Sequence, residues 1–575
     1  MADYRPPVDD LRFILNEVLD WQGLLTSAPY AHVDGELGEA VLEEAAKVTR
    51  RVLAPINQPG DEQGSSLRDG RVITPDGFGA AYRHYAEGGW IGLDLPREHG
   101  GQDLPLVLQA AVAEMVNGAC VAFAMLPLMQ RAAARLLIAH GDPETVQRIV
   151  PRLAAGDWAA TICISEAQAG SDVGRIRIMA RPAADGAYAL SGTKIFITFG
   201  DHDLTEQICH IVLARTPGAP PGTRGLSLFV VPRLDFESGQ ANGVTVSRVE
   251  HKMGLRASPT CVVDFGDARG WRIGGQGEGL KTLFTMVNTM RLEVAMQGVA
   301  VAGAATGAAL AYAAERPQGG PPDAPAVPII NHVDVRRMLM IMRARTGAMR
   351  ALVLEAACQL DLAQVAGSAE ARQDARRLAQ WLLPVCKVCG SQAGFEVANL
   401  AVQVLGGHGY VSDAGVEQYV RDSRVMAIYE GANGIQALDL VSRKLARDQG
   451  RHYDIFAARI RADLEAAKQS PIRRAVADGL ARLDRLKPLF LERMAHTPRD
   501  GEAGADAYLA LVGLVGGGWM WLRMAQSGAP GQEVRDALAT FYADYLMAEV
   551  ETLEMRARLE AGLFDSLTAE QLAAY

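Results

Sequence analysis

Residues 421–436, RDSRVMAIYEGANGIQ, decide how this chain is read. At their centre, Ile428-Tyr429-Glu430-Gly431-Ala432 sets one carboxylate between an apolar-aromatic approach and two small residues. An apolar setting penalises the charged form of a carboxylate and raises its pKa, which suits a general base that must take up a proton. Gly431 has no side chain, so a ligand can come close to the backbone there. On this stretch alone a second reading stays open, in which Glu430 caps or leaves a helix beside a turn.

Around this stretch, residues 281–446 read as helical. Residues 294–314 carry no charge, are long enough to span a bilayer, and contain G-x-x-x-G at Gly303 and Gly307. They are mainly Ala and Gly with a single Leu, which reads as a tightly packed buried helix and not a membrane span. A Pro/Gly-rich loop, RPQGGPPDAPAVP, separates this element from three more long helical stretches, so a four-helix bundle is expected. Pro384 should kink or start one of them.

Between 161 and 280 the hydrophobic period changes. TICISE, AYALSG, KIFITFG, ICHIVLAR, LSLFVVP, VTVSRVE and TCVVDFG are short runs rich in β-branched and aromatic residues, divided by Gly, Pro, Asp and Asn. With no helices between them they imply an antiparallel sheet or small barrel and exclude a Rossmann domain. GGQGEG at 274–279 lacks the G-x-G-x-x-G spacing and reads as a turn leaving the sheet. Residues 1–160 read as helical. LGEAVLEEAAKVTRRVLAPI has helical spacing and should end at Pro55, and Asp142 should cap a helix whose first position is Pro143. Residues 451–575 form a further helical domain with no catalytic constellation. The expected organisation is therefore helical 1–160, β 161–280, four-helix bundle 281–450 and helical extension 451–575.

A chain of 575 residues, nearly half of them apolar, holds several domains with sizeable cores. Its net charge of -10 argues against nucleic acid as a partner. The seven cysteines follow no secreted disulfide pattern and no signal peptide is legible, so a reducing cytoplasm is expected. Cys386-x-x-Cys389 has no second pair at zinc spacing and sits beside the apolar run WLLPV, and the eleven histidines form no ligand motif, so no metal site is expected.

The central stretch resembles the YEGT-x-x-IQ signature of acyl-CoA dehydrogenases, with Ala432 in place of threonine. Ile162-Cys163-Ile164-Ser165-Glu166-Ala167-Gln168-Ala169-Gly170-Ser171-Asp172 is similar to that family's C-V-T-E-P-x-A-G-S-D, with Ala167 in place of proline. Lys194-Ile195-Phe196-Ile197-Thr198 resembles K-x-W-I-T, Asn288 and Arg291 resemble D-x-x-R, Glu315–Gly319 resembles E-R-x-Q, and Gln403–Gly409 matches Q-x-L-G-G-x-G. The N-terminal segment, the ERPQG loop and the C-terminal domain resemble a bacterial subgroup that includes 3-methylmercaptopropionyl-CoA dehydrogenases.

The resemblance implies a mainly α fold with a central β domain, bound FAD, an acyl-CoA substrate and a homodimer. It also implies oxidation by electron-transfer flavoprotein. Glu430 would take the proton alpha to the thioester, and the beta carbon would give a hydride to flavin N5. The thioester oxygen would be met by the base's own backbone N–H and a flavin ribityl hydroxyl. Ile162, Ile164, Ser165, Gly170, Phe196 and Thr198 would hold the flavin. Arg316, Gln318, Gln403 and Gly407 would reach the diphosphate part of the neighbouring subunit's flavin. Ser171, Asn288, Arg291, Tyr429 and Gly431 would meet the acyl-CoA. The substrate implied is 3-methylmercaptopropionyl-CoA or a short, medium or long fatty acyl-CoA. The alternatives are an oxidase using oxygen and a non-enzymatic acyl-CoA-binding relative; the presence of Glu430 counts against the latter.

Overall fold

The protein's structure, a computed structural model, describes residues 4–574. The chain divides into two compact units. One comprises Glu43–Pro105 and Met115–Glu293; the other runs up to Leu42, includes Leu106–Glu114 and continues from Val294 onward.

The N-terminal region is helical: α1 (Gly35–Val48), α2 (Ala54–Gln63), α3 (Leu106–Ala119), α4 (Val121–His140) and α5 (Pro143–Ala155). Pro55 does not end its helix as expected. The chain passes from α1 through a π turn at Thr49–Leu53 directly into α2, with Pro55 in the first turn. There the missing N–H costs nothing, because the first turn's N–H groups have no partner inside the helix. Asp142 caps α5 as expected, accepting from the Thr145 N–H at 3.0 Å.

In the first unit, β1 (Ser66–Arg68) and β2 (Arg71–Ile73) form a small hairpin. The main sheet has seven strands: β3 (Trp158–Cys163), β4 (Met179–Pro182), β5 (Tyr188–Thr198), β6 (Gln207–Arg215), β7 (Leu226–Pro232), β8 (Val244–Val249) and β9 (Thr260–Ile273). AYALSG and KIFITFG prove to be one strand, β5, while β4 and the β1–β2 hairpin were too short to be legible. Pairing runs β6-β4-β5-β9-β7 and returns from β7 to β6, so the path closes into a small barrel, with β3 added on β6 and β8 on β9. Most pairings are antiparallel, but β3 and β4 both lie parallel to β6. All of β7 and all but the last residue of β6 are buried, which explains their unbroken apolar runs. GGQGEG spans the turn from β9 into the next helix, as expected.

The second unit is built on three long helices, α6 (Gly279–Glu315, continuing from the first unit), α7 (Val333–Val365) and α8 (Ala369–Leu405). The expected fourth long helix is broken into α9 (Val416–Ser423), a 3₁₀ turn at Arg424–Ala427, and α10 (Asn433–Asp439) followed by a π turn to Ala446. Gly431, with positive φ, lies in the break, while Gly406 and Gly415, also with positive φ, end α8 and start α9. Pro384 lies inside α8 and starts no helix. A buried carboxylate holds the start of α3: Asp361 accepts from the N–H groups of Leu106 and Val107 at 3.0 and 2.9 Å. The C-terminal helices include α11 (Arg451–Ala466), α12 (Pro471–His496) and α13 (Ala505–Gln526). Trp521 on α13 donates to the Ala344 carbonyl at 2.9 Å, and Arg523 pairs with Glu355 at 3.0 Å. Among the described residues three helices (α4, α6 and α13) are long and apolar enough to cross a membrane, and most of each apolar stretch is buried within the protein.

Candidate active site

In the sheet unit, the expected flavin-facing segment leaves β3. Ile162 is buried, Ile164 and Ser165 are half-buried, and Gly170 and Ser171 are exposed in the turn that follows. A buried ion pair holds this turn. Lys194, 0% exposed, donates to the Ile164 carbonyl at 2.8 Å and to Glu166 Oε1 at 2.9 Å. Glu166 also accepts from the N–H groups of Arg177 and Ile178 and from Gln168. Burial alone would raise the Glu166 carboxyl, but Lys194 and the amide donors outweigh it and hold it below the ordinary range. The Ile195 N–H reaches the Ser165 carbonyl at 3.0 Å, tying the turn to β5.

The next residue, Phe196, occupies a bulge: between Lys194 and Ile197 the β5–β9 register slips by one residue, and Phe196 has φ +59°. A bulge re-aims the side chain it carries. Here it leaves an aromatic ring 62% exposed, a flat apolar face of the kind a planar ring system stacks on. Thr198 is half-buried at the end of the same strand. Arg291 is buried with its guanidinium 5.6 Å from the Phe284 ring centre, and Asn288 is exposed one turn earlier.

In the helical unit, Glu430 and Gly431 form a turn of two successive residues with positive φ, +53° and +89°. For a glutamate this is a sparsely populated conformation, of the kind that persists where surrounding structure over-determines it. The helix-capping reading of Glu430 fails: the N-cap of α10 is Ala432 and no side chain caps it. Tyr429 donates through its hydroxyl to buried Gln297, and burial, with the Glu430 charge adding, pushes its phenol up. The Gly431 carbonyl accepts from Lys387 at 2.7 Å. Asp422 and Glu417 lie on α9, where Glu417 pairs with Arg421 and Asp422 accepts from Gln418.

Also in this unit, Arg316, Gln318, Gln403 and Gly407 are all exposed. The Tyr312 hydroxyl meets His408 Nδ1 at 3.2 Å, which joins the end of α6 to the glycine turn after α8. The Pro/Gly-rich loop is pinned by a Pro317–Pro328 bridge and by His332, which meets the Gln318 carbonyl at 2.6 Å. A Cβ added to Gly406 or Gly407 would meet nothing within 4 Å, so bare backbone and an exposed arginine lie open to a diphosphate. These residues fit an FAD. Cys386 and Cys389 are free thiols on α8, pushed up by burial, Cys389 to about 12, as inert packing thiols are. Among the described residues no group of three or more His, Cys, Asp or Glu could hold a metal ion.

Family models match the chain in sequence. They are the acyl-CoA dehydrogenase N-terminal domain over residues 36–157, its middle domain over 161–268 and its C-terminal domain over 277–445. A fourth, described as acetyl-CoA dehydrogenase C-terminal like, matches 456–563. Over 567 residues, 96% of this chain and 95% of the relative, it is 40% identical to 3-methylmercaptopropionyl-CoA dehydrogenase of Ruegeria pomeroyi. The chain belongs to the acyl-CoA dehydrogenase family. It is an FAD-dependent oxidoreductase acting on acyl-CoA.

Solved structures that share this acyl-CoA dehydrogenase fold include the following two. Caenorhabditis elegans ACDH-11 in complex with C11-CoA matches at a TM-score of 0.80 and 20% identity, over 97% of this chain and 96% of that one. Acyl-CoA dehydrogenase of Bacillus anthracis complexed with FAD matches at 0.76 and 21%, over 98% and 93%. Sequence reasoning quoted Glu166 and Lys194 within matching segments but gave them no role, and it missed Lys387 and Gln297. Lysine in the apolar run WLLPVCKVCG was the one available signal, since a buried amine must be spent on a specific acceptor.

Proposed function

We propose that the enzyme removes the alpha proton of an acyl-CoA thioester with Glu430 as the beta carbon loses a hydride, leaving a 2,3-enoyl-CoA. Bound FAD supplies the hydride acceptor. The observation that carries this reading is the Glu430–Gly431 turn: a carboxylate in a strained conformation, beside a bare glycine and capping no helix. The turn commits the side chain to one direction, which is what a general base needs before substrate arrives. The Glu430 N–H is the chain's own donor to the thioester oxygen, where negative charge gathers as the proton leaves. Phe196 would stack on the flavin. Ile162, Ile164, Ser165, Gly170 and Thr198 line its other contacts, and Arg316, Gln318, Gln403 and Gly407 bind a diphosphate. Ser171, Asn288, Arg291, Tyr429 and Gly431 face the acyl-CoA.

The chain works as four segments, 1–160, 161–280, 281–450 and 451–575, a division supported by the order of the matched domains. The substrate is 3-methylmercaptopropionyl-CoA or a fatty acyl-CoA, the former supported by the full-length relative. Electrons pass on to an electron-transfer flavoprotein in the cytoplasm. The enzyme is a homodimer, a reading supported by the exposed arginine and glycine turn that a second copy's flavin would cover; light scattering of the FAD-loaded chain tests it.

The deciding experiment is Glu430→Gln under anaerobic acyl-CoA, with flavin bleaching as the readout. Glutamine keeps the shape but takes no proton, so bleaching slows by about 10²–10⁴-fold while FAD and acyl-CoA still bind. Wild-type bleaching by this variant refutes the mechanism. A panel of acyl-CoAs with an artificial electron acceptor assigns the substrate.

A further inference from the structure

We propose that Lys387, 43 residues before the base, is a positioning residue that sets the Glu430–Gly431 turn; this rests on Glu430 being the base. Lys387 lies on α8 and is 0% exposed. Its side-chain nitrogen donates to the Gly431 carbonyl at 2.7 Å and to Asn433 Oδ1 at 2.9 Å. The other end of the same amide, Asn433 Nδ2, donates to Ser391 Oγ at 3.1 Å. Lys387 and Ser391 are one turn apart on α8 and so share a face. Together they clasp the first residue of α10 and the carbonyl just after the base.

The arrangement determines a direction. Gly431 has no side chain, and its φ of +89° belongs to a conformation with many accessible neighbours. Holding its carbonyl on a buried, rigid helix removes that freedom. Gln436 adds a longer bond to the same oxygen, at 3.4 Å. That carbonyl lies in the peptide plane joining Gly431 to Ala432, so the chain is anchored one residue beyond Glu430 on its C-terminal side. Its N-terminal side is held by the Tyr429 N–H bonding the Val425 carbonyl at 3.1 Å. A buried amine in an apolar helix is costly where methionine or leucine would pack. Two of the acceptors it serves, a main-chain carbonyl and an amide, lie within three residues of the base. Ala432 has no hydroxyl with which to brace the turn from within, so the clasp from α8 takes that work.

The test uses FAD-loaded full-length protein and anaerobic reduction by 3-methylmercaptopropionyl-CoA, or by the fastest acyl-CoA of the panel. Lys387→Met should slow flavin reduction at saturating substrate on the order of 10–100-fold, the scale of a misplacement near 1 Å. Acyl-CoA affinity should stay within about threefold and FAD content near one per chain, because a loosened base alters the reacting geometry and not binding. Lys387→Gln retains an N–H donor and should fall between Met and wild type. Asn433→Ala, which removes one acceptor and leaves the Gly431 bond, should also slow reduction, by less than Lys387→Met. If Lys387→Met does not fold, Lys387→Gln and Asn433→Ala decide. Wild-type reduction rates in the folded variants overturn the proposal, and so does a loss of affinity equal to the loss of rate. Glu430→Gln runs alongside: if it bleaches normally, the assignment of the base has failed; if it is dead while the Lys387 variants are normal, only the positioning role has failed.

Discussion

Gly298→Ala should destabilise the helical unit although alanine is the better helix former. Gly298 on α6 faces Gly390 and Gly394 on α8, and these long helices touch backbone to backbone there. A Cβ at Gly298 would lie 2.0 Å from the Gly390 carbonyl oxygen, 2.4 Å from its carbon and 2.9 Å from the Ser391 nitrogen. Dispersion contacts are best at about 3.5–4.0 Å between carbons, so the helices must part by more than an ångström. No side chain can rotate away, because the obstructing atoms are main chain. Overpacking costs typically about 1–3 kcal/mol; a backbone clash of this depth belongs near the top, against about 1 kcal/mol gained from helix propensity. The net expectation is a loss of about 2 kcal/mol.

The control is in the same helix. A Cβ at Gly307 meets nothing within 4 Å, so Gly307→Ala should gain up to about 1 kcal/mol. At a few degrees per kcal/mol for a large domain, thermal melts should place Gly298→Ala several degrees below wild type and Gly307→Ala slightly above. Because Lys387 and Ser391 ride on α8 beside this crossing, Gly298→Ala should also slow anaerobic flavin reduction, and Gly307→Ala should not. A Gly298→Ala melt equal to or above that of Gly307→Ala would refute the close crossing and the reasoning built on it.

Glu166→Gln should cost about 3–5 kcal/mol, since it strands the buried Lys194 without its carboxylate; thermal unfolding and FAD retention both read it, and an unchanged melt would show that the pair does not hold the flavin turn. A third expectation concerns acid. Glu554 receives Arg482, Arg485 and Arg558 at 2.8–3.1 Å. Burial alone would raise its carboxyl, but these hydrogen bonds bring it to about 2. A depressed carboxyl stabilises the fold above its unfolded pKa of about 4.3 and ceases to as pH falls through its folded value. Helical stability should therefore decline between about pH 5 and 2, and a Glu554→Gln variant should show a shallower decline in the same acid titration followed by circular dichroism.

Much of the site was legible because its residues carry local chemistry. TICISE and LSLFVVP announce strands through β-branched density, Asp142-Pro143 announces a helix start, and the YEGANGIQ run around Glu430 carries the family resemblance from which the base is proposed. The bulge at Phe196 was not legible, because nothing in KIFIT distinguishes a bulged strand from a regular one; the extra residue shows only against β9. The break in the last bundle helix was written in Gly431, yet glycine permits positive φ without requiring it.

By itself, then, the sequence determined the order of helical and β segments and carried the motifs that place the chain in its family and from which the base, flavin and thioester residues are proposed. Those depend on residue type and on neighbours within a few positions. Only the tertiary structure decided the partners: that Lys387 reaches the Gly431 carbonyl, that Lys194 closes on Glu166, that β3 lies parallel to β6, and that Gly298 meets Gly390. Each joins residues far apart in the chain, and burial makes each one specific, since a buried amine, carboxylate or bare backbone is stable only against the one partner that the packing brings to it.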